Sequence, residues 1–454
     1  MQTALDTLSP LDGRYAADVA PLRAYLTEAA LYRARVQVEI EYLIFLSRSP
    51  QVHFVPPLDA AQQASLRALY RHFSPDDAAA IAAWDQRVNH DVKAVEYWLR
   101  ERLTALGMAQ WNEALHWALT SEDVNNLAYA LLVREARDKV LVPAVAEIYV
   151  MLRDFALAYA DLPMLSRTHG QPATPTTLGK ELNVFAHRLG RANDTVARVV
   201  LTAKLNGATG TYAAQVSALP EVDWIRFSQA FIRFLELSPT LLTTQIEPHD
   251  SLAELCDALR RVNTILLDLD MDMWRYISDG YFVQRLAANE VGSSTMPHKV
   301  NPINFENSEG NLQVANALLE LLSRKLPVSR LQRDLSDSTV LRTLGTAFGH
   351  SLVGYRRALR GLERVQPSEA TIRQELASHP EVLAEAIQTI LRREGYPEPY
   401  EVLKRLTRGR TPTLDNIRQF IETLDVAPTV KAELAALTPE EYTGLAEKLA
   451  RLQP

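Results

Sequence analysis

Residues 251–279 read SLAELCDALRRVNTILLDLDMDMWRYISD, and this stretch decides the fold class. Leu252, Leu255, Leu259 and Val262 open a series of apolar side chains spaced three and four residues apart. That spacing puts them on one stripe of a helix of 3.6 residues per turn, with polar residues on the other faces. The same period recurs outward in both directions, over 123–160, 176–204 and 307–325. Thr27 to Leu46 and Asp91 to Leu103 read as further amphipathic helices. Strict alternation bounded by turn residues is almost absent, so the sequence predicts an all-α fold. Leu, Ala, Glu and Arg, all good helix formers, dominate most segments. At about 1.5 Å per residue the longest helices span about 40 Å, and such rods bury their stripes poorly in one chain. Association through the long helices is therefore expected, with a monomeric helical domain as the alternative.

The chain has 454 residues, about three times a common domain length, and 47% of it is hydrophobic. Composition suggests three consecutive parts. Residues 1–110 hold shorter helices broken by Pro10, Pro56, Pro57 and Pro75, residues 111–360 hold the longest helical runs, and residues 361–454 hold shorter helices punctuated by prolines from Pro380 to Pro439. A net charge of −7 argues against a broad nucleic-acid surface, which needs a net basic face. A small anionic ligand remains compatible, because a few Arg and Lys build a local positive pocket on an acidic protein. One cysteine, Cys256, allows no internal disulfide framework and no clustered thiolate metal site, and its apolar neighbours predict a buried, inert thiol. The first residues lack a basic segment followed by an apolar one, and no run of about 18 uncharged apolar residues occurs. A cytoplasmic protein without membrane contact is expected. No His-Glu-x-x-His pattern or phosphate-loop glycine pattern is present, so neither a metal nor any other cofactor is expected.

Polar islands bearing glycine or proline interrupt the helical periods, and chemistry is sought there. The most informative runs from Gly292 to Pro302, GSSTMPHKVNP. Gly292 frees the backbone while Pro297 and Pro302 stop helix continuation, giving a loop that carries two serine hydroxyls, an imidazole, an ammonium and a carboxamide. A second island, Leu165 to Pro175, carries His169 between Thr168 and Gly170, where an imidazole can serve as a proton donor near neutral pH or as a structural hydrogen-bonder. A third, Asn89-His90-Asp91-Val92-Lys93, opens a helix. Asn89 reads as its N-cap, and the helix amides with His90 and Lys93 suit an anion. In the fourth, Leu119 to Asn126, Thr120 and Asp123 resemble a capping pair, while the hydroxyls of Thr120 and Ser121 can equally grip a carboxylate or phosphate. Arg330, Arg333 and Arg342 flank a helix start expected near Ser338, a combination that suits phosphate or carboxylate.

Taken together these segments resemble the adenylosuccinate lyase family of the fumarase/aspartase superfamily, in its long bacterial form. The resemblance is carried by Gly292 to Gly310, Thr168 to Pro175, Asn89 to Tyr97, Thr243 to Asp250, Ser9 to Tyr15 and Arg333 to Arg342. It runs over nearly the whole chain. The superfamily loop alone leaves fumarase, aspartase and argininosuccinate lyase open; the other segments narrow the substrate to a succinylated purine nucleotide. A non-catalytic relative that keeps the fold is a further alternative, against which the presence of Ser293, Lys299 and His169 speaks. The one departure noted, His116-Trp117-Ala118-Leu119, bears on packing more than on chemistry.

The resemblance implies a three-part helical protomer in a homotetramer whose active sites are shared between subunits. It also implies elimination of fumarate without a metal, with Ser293 as base and His169 as acid. A serine hydroxyl is a weak base and needs its alkoxide stabilised by loop amides and Lys299. Around the nucleotide the resemblance places Arg14, Tyr15, Asn89, His90, Asp91, Thr120, Ser121, Gln245, Ser294, Lys299, Val300, Asn301, Asn307, Arg333, Ser338, Thr339, Val340, Leu341 and Arg342.

Overall fold

The structure, a computed structural model, describes residues 6–285, 296, 299–407 and 412–453. It is built almost wholly of helices. Those that matter for the site are α1 (Glu28–Ser47), α2 (Pro75–Val88), α3 (Asp91–Ala105), α4 (Ser121–Ala136), α5 (Val142–Ala158), α6 (Leu178–Arg198), α7 (Asp250–Ser278), α8 (Ile303–Lys325), α9 (Ser336–Leu341) and α10 (Leu344–Glu363). The all-α expectation holds, and the long periodic segments fall where the apolar spacing places them. The run expected over 123–160 is α4 and α5, joined through a π turn at Arg137–Leu141. One inserted residue per π turn rotates the apolar stripe without ending the helix.

The chain forms two compact units, each gathered from segments far apart in sequence. Unit 1 comprises residues 1–144, 192–264 and 310–354; unit 2 comprises 145–191, 265–309 and 355–454. In unit 1, α1 is buried on nearly every side, from Ala30 to Ser47. Its Thr27 N-cap oxygen accepts the Ala30 N–H at 3.2 Å, which fixes where the helix starts. Tyr42 and Phe45 meet Phe231 edge-on, with ring centroids 5.7 and 5.5 Å apart. Such pairs add to the area they bury. The helix is thus a rigid spine against which α4 rests.

Unit 2 contains a feature the sequence reading left as a polar connection. Strands β1 (Pro163–Thr168) and β2 (Gln171–Thr177) form an antiparallel hairpin, with Thr168 paired to Gln171. His169 and Gly170 are its two turn residues, both with positive φ (53° and 75°), as a type I′ turn requires. Pro172 and Pro175 masked the strand in the sequence, since proline cannot donate to a ladder. A two-stranded ribbon has an unpaired edge on each strand, so it accommodates them. Unit 2 also has a small core toward the C-terminus, with Leu383, Ile387 and Leu391 packed against Ile417, Ile421 and Leu434.

Candidate active site

In unit 1 two of the four polar islands, those at Asn89 and Thr120, converge with the arginine segment on one cavity of about 570 Å³. Its walls come from the end of α2, the starts of α3 and α4, the segment around Gln245, and α9 with the residue that follows it.

The junction between α2 and α3 sets the first wall. Asn89 ends α2 in the left-handed region (φ 51°), a conformation its short amide side chain tolerates. The N-cap of α3 is His90, not Asn89 as the sequence suggested: the His90 Nδ1 accepts the Lys93 N–H at 3.1 Å. Asn89 is spent on turning the chain. Lys93 is also drawn away from the expected anion site, since its Nζ lies 2.7 Å from Glu96. Asp91 is held by Arg35, a buried residue of α1, through a 2.6 Å ion pair, while the Arg35 Nε donates to Asn125 at 2.8 Å. Burial pushes the Asp91 carboxyl up. The Arg35 pair, the Val92 N–H and the nearby Arg342 outweigh it and hold the group below its usual range. Asp91 is therefore an anion whose charge is already matched.

The second wall is the start of α4. The Thr120 N–H donates to Asp123 Oδ2 at 2.9 Å, the capping contact its spacing suggests. Asp123 is fully buried, pairs with the equally buried Lys204 at 3.0 Å and also accepts the N–H groups of Asn206 and Gly207. This web fixes the backbone that presents Thr120 and Ser121 to the cavity. Just upstream, His116 pairs with the buried Glu39 at 2.6 Å. Burial lowers the His116 imidazole, but Glu39 outweighs it and leaves the group raised. Trp117 packs between Phe54 and Trp224, so the departure at 116–119 is a packing and anchoring element.

The third wall brings the guanidinium groups. Arg333 donates to Gln245 Oε1 and to Ser338 Oγ, each at 3.2 Å, and lies 3.4 Å from Glu122. Arg342 is half-exposed, with Glu28 at 2.7 Å. Leu341 completes the wall, whereas Thr339 is exposed and the Val340 carbonyl accepts from the Thr343 hydroxyl. Arg330 pairs with Asp334 and lies off the cavity. Arg14 is exposed and Tyr15 packs beside Leu11, Val19 and Val353, so neither lines it. With Arg333 and Arg342 guanidiniums, the hydroxyls of Thr120, Ser121 and Ser338, and the amides of Asn89 and Gln245, the cavity is equipped to hold anionic and hydrogen-bonding groups at once.

Sequence reading missed Arg35, Tyr129 and the buried group behind Arg333. Glu122, His249 and Asp337 bring one ligand-type atom each to within 4.8 Å of one another. That spacing suits a cation, but the Arg333 guanidinium beside Glu122 already supplies the positive charge and would repel a metal ion. The only sequence signal was that Glu122 and His249 each stand in a segment marked for other reasons.

Unit 2 carries the other expected residues. His169 is exposed at the apex of the hairpin, which is tied down where Arg167 bonds Glu375. Lys299 is exposed and its N–H donates to Met296 O at 3.0 Å. The Val300 carbonyl accepts from Gln284 Nε2 at 2.9 Å, and Asn301 and Asn307 are half-buried at and inside the start of α8. Gly292, Ser293, Ser294 and His298 lie outside the described residues.

Residues 13–316 match a family described as Lyase, and residues 329–443 match one described as Adenylosuccinate lyase C-terminal. The chain is 48% identical to the adenylosuccinate lyase of Legionella pneumophila (strain Corby), over 99% of both chains. It is 47% identical to that of Escherichia coli (strain K12) over 98% of both, and 48% identical to that of Dictyostelium discoideum over 97% of both. Among solved structures, a fumarate lyase from Mesorhizobium sp. BNC1 superposes with a TM-score of 0.75 at 18% identity, covering 95% of this chain and 96% of its own. A 3-carboxy-cis,cis-muconate lactonizing enzyme from Pseudomonas putida gives 0.72 at 21%, covering 95% of both. These two share the fold, while the end-to-end identity with the sequence relatives fixes the kinship: this chain belongs to the adenylosuccinate lyase family.

Proposed function

We propose that the chain eliminates fumarate from adenylosuccinate, giving AMP, and from the succinylated aminoimidazole carboxamide ribotide of purine nucleotide synthesis. The observation that carries this reading is the 47–48% identity to adenylosuccinate lyases across essentially the full length of both partners. The cavity of unit 1 supports it, because the substrates carry a phosphate and two carboxylates that need Arg and hydroxyl donors.

The reaction breaks a carbon–nitrogen bond after removal of a proton next to a carboxylate. That proton is weakly acidic, and its carbanion places a second negative charge on the neighbouring carboxyl group. The protein must supply a base, donors to the dianion and an acid for the departing nitrogen. In this reading Ser293 is the base, His169 the acid, and Lys299 and Asn301 are donors. The exposed position of His169 at a hairpin apex suits an acid that meets a ligand rather than its own core. Arg333, Ser338, Thr120 and Ser121 hold the nucleotide. The protomers form a homotetramer whose sites combine subunits, and the enzyme works in the cytoplasm. Among the described residues no helix is long and apolar enough to cross a membrane.

The test is direct. Purified protein is incubated with adenylosuccinate without added metal, and AMP and fumarate are followed. Equal amounts of both are expected. Turnover of argininosuccinate, aspartate or malate instead would move the assignment to a sibling lyase. Ser293→Ala and His169→Ala are each expected to lose on the order of 100- to 1000-fold or more in rate while keeping the oligomer.

A further inference from the structure

Arg333 has a buried ionisable layer directly behind it. Glu122, His249 and Asp337 are each at most 5% exposed, on α4, before α7 and on α9. Arg333 lies 3.4 Å from Glu122, and His249 Nε2 lies 3.9 Å from Asp337 Oδ2. Among the described residues neither the His249 Nε2 nor the Asp337 Oδ2 has a hydrogen-bond partner. The other cation near Glu122, Lys204, is committed to Asp123 at 3.0 Å. Glu247, the carboxylate nearest the His249 backbone, accepts the His249 N–H at 2.7 Å and the Thr202 hydroxyl at 2.8 Å.

The two carboxylates of this layer are not alike. The Asp337 Oδ1 accepts the Ser338 N–H at 2.7 Å. Burial raises Asp337, but His249, that N–H and Arg333 outweigh it and hold the group below its usual range, so it is an anion. Glu122 is dominated by burial; Arg333, His249 and Lys204 oppose this, Asp337 adds to it, and the carboxyl is pushed up to about 7. Asp337 and Arg333 already balance one another. A charge on Glu122 becomes surplus once a ligand anion enters, because it competes for the guanidinium that the anion must use.

We propose that Glu122 is a positioning residue for Arg333: it takes up a proton when an anionic ligand enters the cavity and gives it up when the cavity empties, so the guanidinium faces either ligand or carboxylate. This rests on the reading that the cavity takes the nucleotide, and it deepens that reading. Binding and protonation are then coupled, and the coupling is reciprocal. A ligand that raises the Glu122 protonation constant tenfold binds about tenfold more weakly once pH exceeds both values. Below about pH 7 the acid is neutral and affinity is highest; as pH rises through that value affinity falls.

The test uses AMP as probe and the intact oligomer. Calorimetry near pH 7.5, in buffers of different ionisation heat, is expected to show uptake of about half a proton per AMP. The AMP Kd is expected to rise about tenfold between about pH 6 and about pH 9, and KM for adenylosuccinate to follow it, while kcat lacks that midpoint. Glu122→Gln is expected to abolish the uptake and flatten the Kd profile. A merely structural Glu122 would instead leave the wild type without proton uptake, and that result overturns the proposal even if the variant does not fold. Uptake that survives in Glu122→Gln but vanishes in His249→Gln assigns the proton to the imidazole and also overturns it. Absence of both AMP binding and turnover overturns the proposed function, and this inference with it; AMP binding without proton uptake overturns the inference alone.

Discussion

Replacing Lys204 by methionine isolates the buried pair that holds the start of α4. Lys204 and Asp123 are fully buried, 3.0 Å apart, and the ammonium also donates to the Gly207 carbonyl at 2.8 Å. Methionine fills nearly the same volume, so little cavity forms. What is lost is the counter-charge, and removing one partner of a buried pair costs about 3–5 kcal/mol. Asp123 keeps the N–H groups of Thr120, Asn206 and Gly207, which places Lys204→Met at the low end, about 3 kcal/mol. Asp123→Asn leaves the ammonium unmatched and gives the three N–H groups one acceptor oxygen in place of two, at about 4 kcal/mol. The double variant removes both charges, so its loss should fall short of the sum of the single losses by at least about 2 kcal/mol. Urea unfolding at one fixed protein concentration measures the cycle, because an oligomer's stability depends on concentration. A coupling below about 0.5 kcal/mol would refute the reasoning, since the pair would then act as two independent groups.

Three other outcomes follow from single features. The thiol of Cys256 is buried and pushed up to about 12 by that burial, so a disulfide reagent is expected to leave it unlabelled until the chain unfolds; stoichiometric labelling of the native protein would contradict this. A Cβ at Gly179 would stand 2.3 Å from the Ala156 carbonyl oxygen and 2.6 Å from the Ala160 Cα, both backbone atoms that cannot rotate away. Gly179→Ala is expected to cost at least about 2 kcal/mol or to abolish soluble yield, and a wild-type urea midpoint would refute the packing described. Burial raises the carboxyl of Asp270 well above its usual range, so the folded chain keeps a proton there that the unfolded chain releases. Because the unfolded state binds fewer protons, stability falls as pH rises above the ordinary carboxylate range, and Asp270→Asn removes that slope. A wild-type–variant gap that stays constant with pH would rule this out.

The helical frame was legible because burial of one stripe imposes a period that survives in the sequence, as α7 and α8 show. The polar islands were legible because chain reversals between helices need Gly, Pro or a capping side chain. What was not legible was set by partners distant in the chain. Arg35 sits among apolar residues of α1, and nothing near it signals Asp91, fifty-six positions away. The hairpin was hidden by its prolines, and the N-cap of α3 was misplaced by one residue because Asn and His both cap. The layer of Glu122, His249 and Asp337 exists only once three segments meet. Ser293 and Ser294 lie outside the described residues, so their expected roles rest on family resemblance alone.

Backbone strain gives an independent view of where the molecule is specialised. Among the described residues nine non-glycine positions have positive φ, a conformation that costs about 1–2 kcal/mol for an ordinary side chain. Six of them stand in or beside the polar segments: Asn89, His116, Ala118, His169, His249 and Leu331. The other three, Tyr212, Glu236 and Glu398, stand at helix ends away from these segments. Each strained residue aims a neighbour: Asn89 turns the chain into His90, and His116 with Ala118 sets the approach to Thr120. His249 holds its imidazole behind Arg333, and Leu331 precedes Arg333 itself. Their partners over-determine these positions, as with His116 on Glu39 and His249 between Glu247 and Asp337. A sequence selected for stability alone would have glycine there, and glycine would cede the fixed aim. On the proposed reading of the cavity, this strain is the local cost of holding the donors still before the nucleotide arrives.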